Sequence, residues 1–203
     1  MHFPVCIIDD FLGSEACSRL LAFAVGRQAE FAPSRVHTTE KHQIIETQLR
    51  DSLSYPGPFG TLMAPFHAGL DASYDRIAAA IGAGAFERVP TELHMVAHRH
   101  GQYLGRHIDT GTSTTGSMLA QNRVVTLIYY FHDHPRAFGG GDLVVYPMTG
   151  DDPQVIEARS DRLVALPSFA PHEILPVDLP DGRFADSRFA LVSWLVRPQV
   201  QPA

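Results

Sequence analysis

The chain is short of positive charge. It carries 16 Lys and Arg against 22 Asp and Glu, a formal net charge of −6. Nucleic-acid binders draw most of their affinity from phosphate contacts, so this balance argues against a nucleic-acid partner. Cysteine is scarce as well. Cys6 and Cys17 are the only two, and their spacing is not that of metal ligands, so a reduced, cytoplasmic setting is expected. Long apolar runs are missing. The longest, 77–86, covers ten residues, where a membrane-spanning helix needs about 20. The first ten residues lack the basic start and longer apolar stretch of a secretory signal. There is no internal repeat and no low-complexity tract. What remains is an ordinary folded chain, 45% hydrophobic with 12 Phe and 6 Tyr. Its 203 residues are read as one domain, 1–203. One count stands out, the 11 histidines, because imidazole is the commonest metal ligand.

The N-terminal part, 1–91, reads as helical support. A short strand over 3–8 precedes a helix from Ser14, expected as its cap, to Gly26, with Glu15 in the first turn. A second helix is expected from Gly60 to Ile81, where Leu62, Phe66, Leu70, Tyr74, Ile77 and Ile81 recur at helical spacing. Between them lie a strand-like stretch, 31–37, and a loop, 54–59. From Glu92 the character changes. Eight short apolar runs, 93–97, 103–108, 124–131, 142–146, 155–156, 162–166, 172–177 and 188–196, alternate with Gly, Pro, Asp and Asn clusters. That spacing points to a sandwich, barrel or jelly roll. Helices followed by strands give an α+β, mainly β architecture with helices on one face of the β core.

Within Tyr103–Ile108 and just beyond it, His107 and Asp109 stand two residues apart. In a strand, such residues project to the same face. They offer one nitrogen and one oxygen ligand, and His172, 65 residues on, is the best third. Two histidines and a carboxylate on one face of a metal leave three positions open, as in non-haem Fe(II) oxygenases. Taken alone, His-x-Asp equally suits a surface strand with two polar residues. His98 with His100, and His132 with His134, are competing pairs, the second expected in a solvated turn.

Arg188 begins another apolar run, and alternation puts Arg188, Ala190, Val192 and Trp194 on one face. A buried unpaired charge is costly, so this arginine marks either an edge strand facing water or a site for an anion, whose carboxylate it would grip in a fork. Tyr130 shares a face with Thr126 and Ile128 and can offer its hydroxyl at the end of an apolar slot. Arg183 is a rival cation in a Pro/Asp/Gly turn.

Five pieces in order carry a resemblance: 95–97 (Met-Val-Ala) with 101–109 (Gly-Gln-Tyr-Leu-Gly-Arg-His-Ile-Asp); 125–130 (Val-Thr-Leu-Ile-Tyr-Tyr); 139–147; 172–176; and 188–194. Together they resemble the Fe(II)/2-oxoglutarate-dependent dioxygenases, in the prolyl-4-hydroxylase-like branch. The resemblance implies a double-stranded β-helix (jelly roll) core over 92–196 with N-terminal supporting helices. It implies Fe(II) on His107, Asp109 and His172. It also implies 2-oxoglutarate as cosubstrate, held by Arg188 and Tyr130, with ascorbate as a candidate reductant. The implied reaction uses O2 to hydroxylate a C–H bond of a peptide or protein residue (proline-like), a free amino acid or a small metabolite, giving succinate and CO2. Asp109 favours hydroxylation, since related halogenases lack this carboxylate. Residues 30–60 and 110–121 would wall the substrate, and 178–187 would lengthen a hairpin. One departure is His98, where many relatives have tyrosine; it is open to two roles, a hydrogen bond to the cosubstrate or a contact to substrate. The alternatives are a non-catalytic metal-containing jelly-roll binding or sensor domain, a zinc hydrolase, and a nucleic-acid demethylase that the charge disfavours.

Overall fold

The computed structural model of the chain describes residues 1–34, 36–37, 43–44, 49–55, 57–84, 86, 92–111 and 122–198. Two antiparallel sheets face each other, and two helices cover the outside of the larger. The larger sheet has the order Cys6–Ile8, Arg162–Pro167, Arg123–Phe131, Arg188–Val196, Leu93–His98, Leu53–Tyr55, Ala32–Pro33. The smaller runs Gln154–Ile156, Leu143–Val145, His172–Ile174, Tyr103–His107, Arg50–Asp51. This is the expected jelly roll.

Period-two alternation divides the core into two layers. On Arg123–Phe131, Val125, Leu127, Tyr129 and Phe131 face outward to the helices, while Ile128 and Tyr130 face the smaller sheet. Its neighbours keep step. Phe189, Leu191, Leu163, Ala165, Met95 and Ala97 join the helix layer, and Ala190, Val164 and Leu166 join the layer between the sheets. The helix Ala64–Ile81 closes the outer layer with Phe66, Leu70, Ile77 and Ile81. Each such side chain contributes roughly 1.5–3 kcal/mol when fully buried. Pro65 suits its first turn, and Gly82 ends it in a left-handed conformation (φ 69°). Among the described residues no helix is long and apolar enough to cross a membrane.

The structure corrects four expectations. The helix Ser14–Gly26 is capped at Gly13, with no hydrogen bond from the Ser14 side chain. Asp161 does that work from the far end of the sequence. Its carboxylate accepts from Leu12 N (2.8 Å), Gly13 N (2.9 Å) and the Tyr129 hydroxyl (2.9 Å). A negative charge there also suits the helix dipole. Where a loop is expected over 54–59, the strand Leu53–Tyr55 pairs with Leu93–His98. His132 is buried rather than solvated, its ring between the carbonyls of Asp133 and Ala158. Residues 178–187 do more than lengthen a hairpin. Val177–Asp178 pairs with Gly139–Gly140, Leu179 enters the inner layer, and Phe184 packs on Phe31 and Phe189 in the outer one.

Asp161→Ala strands two backbone N–H groups and a buried phenol. Unsatisfied buried groups cost about 1–3 kcal/mol each, so a loss of about 3 kcal/mol is expected. Thermal denaturation is then expected roughly 6–12 °C lower. Asp161→Asn tolerates the left-handed backbone at this position (φ 60°) and is expected to lose less.

Candidate metal and cosubstrate site

His107 and His172 are direct cross-strand partners in the smaller sheet. The pairing shifts register between His172 and Ile174, which oppose His107 and Leu104. Two steps on one strand thus face three on the other, a bulge that lets both Leu104 and His107 turn inward. Their imidazoles lie 4.3 Å apart between centroids. Asp109 sits just past the strand end at His107, so its direction is not set by strand alternation. Its N–H and that of Thr110 both bond to the carbonyl of Ser168, at 2.8 and 3.1 Å. This clasp swings the carboxylate to the histidines, with Oδ1 3.4 Å from His107 Nε2 and Oδ2 3.5 Å from His172 Nε2. One ligand atom from each residue lies within 4.8 Å of the others, and among the described residues these three form the one group able to hold a metal ion.

The surroundings prepare these atoms. His107 Nδ1 faces the Gly105 carbonyl and His172 Nδ1 the Ala170 carbonyl, each at 2.9 Å. A carbonyl only accepts, so both rings carry a proton on Nδ1 and turn Nε2 to the centre, where it can donate to Asp109 or, once deprotonated, bind a metal. Thr126 Oγ1 donates to Asp109 Oδ2 at 2.7 Å and lies 3.1 Å from Ser168 Oγ, whose hydroxyl must donate back to it. Burial would raise the Asp109 pKa, but the hydrogen bond from His107 and the charge of His172 outweigh it and hold the carboxyl far below the usual range. It stays ionised, as a metal ligand must. Arg123 lies 3.6 Å above the Trp194 ring and reaches the Asp109 carbonyl at 3.4 Å. It pairs with Glu92, whose carboxyl His94 and Arg123 pull down to about 2.

Arg188 is not an edge-strand charge facing water. Its strand lies in the middle of the larger sheet, and the residue is 1% exposed. Nε donates to the Gly141 carbonyl at 2.6 Å, Nη1 approaches His98 Nδ1 at 3.4 Å, and Nη2 has no partner among the described residues. The guanidinium carbon lies 4.9 Å from the centre of the Tyr130 ring, whose buried hydroxyl feels the guanidinium charge but has no acceptor for its own proton among the described residues. Gly141 (φ 68°) makes room for it, because a Cβ there would come within 2.7 Å of Arg188 Cδ. Arg183, the rival, is an exposed residue paired with Asp186. His100 accepts from Leu179 N and lies by Asp178, outside the triad. Residues 112–121 of the expected substrate wall lie outside the described residues.

Two groups escaped the sequence reading. Thr126 shared a face with Tyr130 but gave no sign of its carboxylate partner. Arg50 stands on the smaller sheet's edge strand beside Tyr103–His107. Its charge acts on His98, His107 and Asp109, and burial lowers its pKa. A two-residue strand in a mixed segment carries no periodic signal that would have marked it.

Comparison with known proteins decides the family. The profile of the 2OG-Fe(II) oxygenase superfamily matches residues 93–196, which span all three triad residues, Tyr130 and Arg188. The chain belongs to this superfamily. The chain is 27% identical over 196 residues to an uncharacterised PKHD-type hydroxylase of Synechocystis sp., covering 93% of this chain but only 61% of that protein. Solved structures share the fold. A prolyl-4-hydroxylase of Pseudomonas putida superposes with TM-score 0.70 at 22% identity, over 98% of this chain and 95% of that one. A prolyl hydroxylase of Trichoplax adhaerens, in complex with a hypoxia inducible factor peptide fragment, gives 0.71 at 20% identity, over 96% and 84%. Fe(II) and 2-oxoglutarate are the cofactor and cosubstrate of this superfamily.

Proposed function

We propose that this oxygenase is a hydroxylase of the prolyl-hydroxylase type. It acts on a C–H bond of a proline-like residue in a peptide or protein, or of a free amino acid or small metabolite, with succinate and CO2 as co-products. The observation that carries this reading is Arg188, a buried cation whose Nη2 faces no protein acceptor, beside a phenol in the same condition. Buried polar groups are normally satisfied. A carboxylate of 2-oxoglutarate satisfies both.

The chain's groups fit Fe(II) as well. His107 Nε2, His172 Nε2 and an Asp109 oxygen would hold it on one face, leaving positions for cosubstrate and O2. Bound Fe(II) supplies the redox chemistry that couples oxidation of 2-oxoglutarate by O2 to oxidation of the substrate. The protein does the rest. Gly105, Ala170 and Thr126 fix the ligand directions, Arg188 and Tyr130 orient the cosubstrate, and Leu104, Ile128 and Ala190 line the inner layer with apolar surface. The whole chain forms a single catalytic domain, with residues 30–60 and 110–121 as substrate walls. The peptide held by the Trichoplax enzyme supports a peptide substrate. The unpaired thiols of Cys6 and Cys17 fit a cytoplasmic setting, with ascorbate as reductant.

Succinate formation tests this reading. Protein loaded anaerobically with Fe(II), then given 2-oxoglutarate, ascorbate and O2, is expected to turn over slowly without substrate. No succinate, together with no 2-oxoglutarate binding to the metal-loaded protein, would leave a non-catalytic metal-containing jelly-roll binding domain in its place.

A further inference from the structure

His98 is a buried side chain, 3% exposed, that neither the metal triad nor the Arg188–Tyr130 pair accounts for. It ends the strand Leu93–His98 directly opposite Arg188. Its Nδ1 lies 3.4 Å from Arg188 Nη1. A guanidinium has only donors, so Nδ1 must be the acceptor and the single ring proton must sit on Nε2. Burial and the positive charges of Arg188 and Arg50 keep the ring neutral. The tautomer is therefore fixed by its neighbour, and Nε2–H is a buried donor with no partner among the described residues.

Three buried donors thus stand unsatisfied in one neighbourhood: Arg188 Nη2, the Tyr130 hydroxyl and His98 Nε2. A buried donor left without an acceptor is unfavourable, and these three share a preference for a group that only accepts. A carboxylate, with about four lone-pair sites, can accept from all of them.

We propose that His98 is a cosubstrate-binding residue, its Nε2–H the third donor to the distal carboxylate of 2-oxoglutarate. This rests on the reading of Arg188 given above. His98 then works in both directions at once. Its Nδ1 accepts from Arg188 Nη1 while Gly141 accepts from Nε, and its Nε2 joins Arg188 on the ligand.

The two roles separate by substitution. His98→Asn keeps an acceptor near the Nδ1 position and removes the donor at Nε2. His98→Gln reaches further and restores a donor there. The readout is anaerobic titration of the Fe(II)-loaded protein with 2-oxoglutarate, followed through the visible charge-transfer band of the complex, with no turnover involved. His98→Asn is expected to weaken binding about ten- to a hundredfold, the worth of a hydrogen bond to a charged group. His98→Gln is expected to recover much of it, with Fe(II) affinity and melting temperature unchanged in both. Wild-type affinity in a folded His98→Asn variant would show that His98 only positions Arg188 and would overturn the proposal. So would equal losses in the Asn and Gln variants. No binding by the wild-type protein would instead overturn the parent reading of the site.

Discussion

Asp109→Ala is expected to lower Fe(II) affinity by more than about a hundredfold and to abolish succinate formation, with the fold intact. Asp109 is the one carboxylate of the triad, and its side chain is only 11% exposed. It is kept ionised against burial by His107 and His172. Without it, two neutral imidazoles remain, and a divalent ion loses its only anionic protein ligand. Thr126→Val makes a graded companion. It removes the 2.7 Å hydrogen bond that aims Oδ2, together with the acceptor of the Ser168 hydroxyl, and loss of such an outer partner typically costs about 10–100-fold in metal affinity or activity. The expected order is wild type, Thr126→Val, Asp109→Ala, measured by competition with a coloured chelator and checked by thermal melts. Undiminished Fe(II) binding in Asp109→Ala would remove the triad from the metal.

Arg188→Met is expected to act in opposite directions on stability and on ligand binding. In the protein without cosubstrate, Arg188 is a desolvated cation; burial lowers its pKa, and Nη2 has no partner. Methionine fills similar space without a charge, and replacing buried ionic groups by apolar ones is often neutral or stabilising. The variant is therefore expected to melt at the same temperature as wild type or higher. Its 2-oxoglutarate affinity is expected to fall more than about a hundredfold, since a two-point charge-assisted contact is lost. A ligand that binds only the native state raises stability with its concentration. With a redox-inert divalent metal and saturating 2-oxoglutarate, the wild type should gain stability, while the variant gains little. The two melting temperatures are then expected to come level or cross. If Arg188→Met is destabilised alone and still responds to 2-oxoglutarate, Arg188 is a structural cation and the cosubstrate sits elsewhere.

Much of this site was legible in the chain because its signals are local. His107 and Asp109 are two residues apart, and Arg188 breaks the apolar pattern of its own strand. The alternation of Arg123–Phe131 and Arg188–Val196 sorted their side chains between the two layers, since strand geometry repeats every two residues. The helix Ser14–Gly26 follows its apolar spacing closely. Even here the reason differed in one case. Asp109 reaches the histidines through a clasp on Ser168, outside the strand whose alternation suggested the pair.

What the sequence by itself determined was a layered, mainly β core with helical support, the ligand types and the presence of an arginine in an apolar setting. Those follow from periodicity and side-chain chemistry, which each segment carries within itself. The tertiary structure alone decided which segments became neighbours. Register across the smaller sheet set His172 against His107, and the strand order placed Arg188 in the sheet centre with His98 opposite. Topology likewise brought Asp161 to a helix start 148 residues away and the charge of Arg50 within reach of His107 and Asp109. Pairings of this kind depend on the simultaneous fit of many distant segments, so no local pattern specifies them.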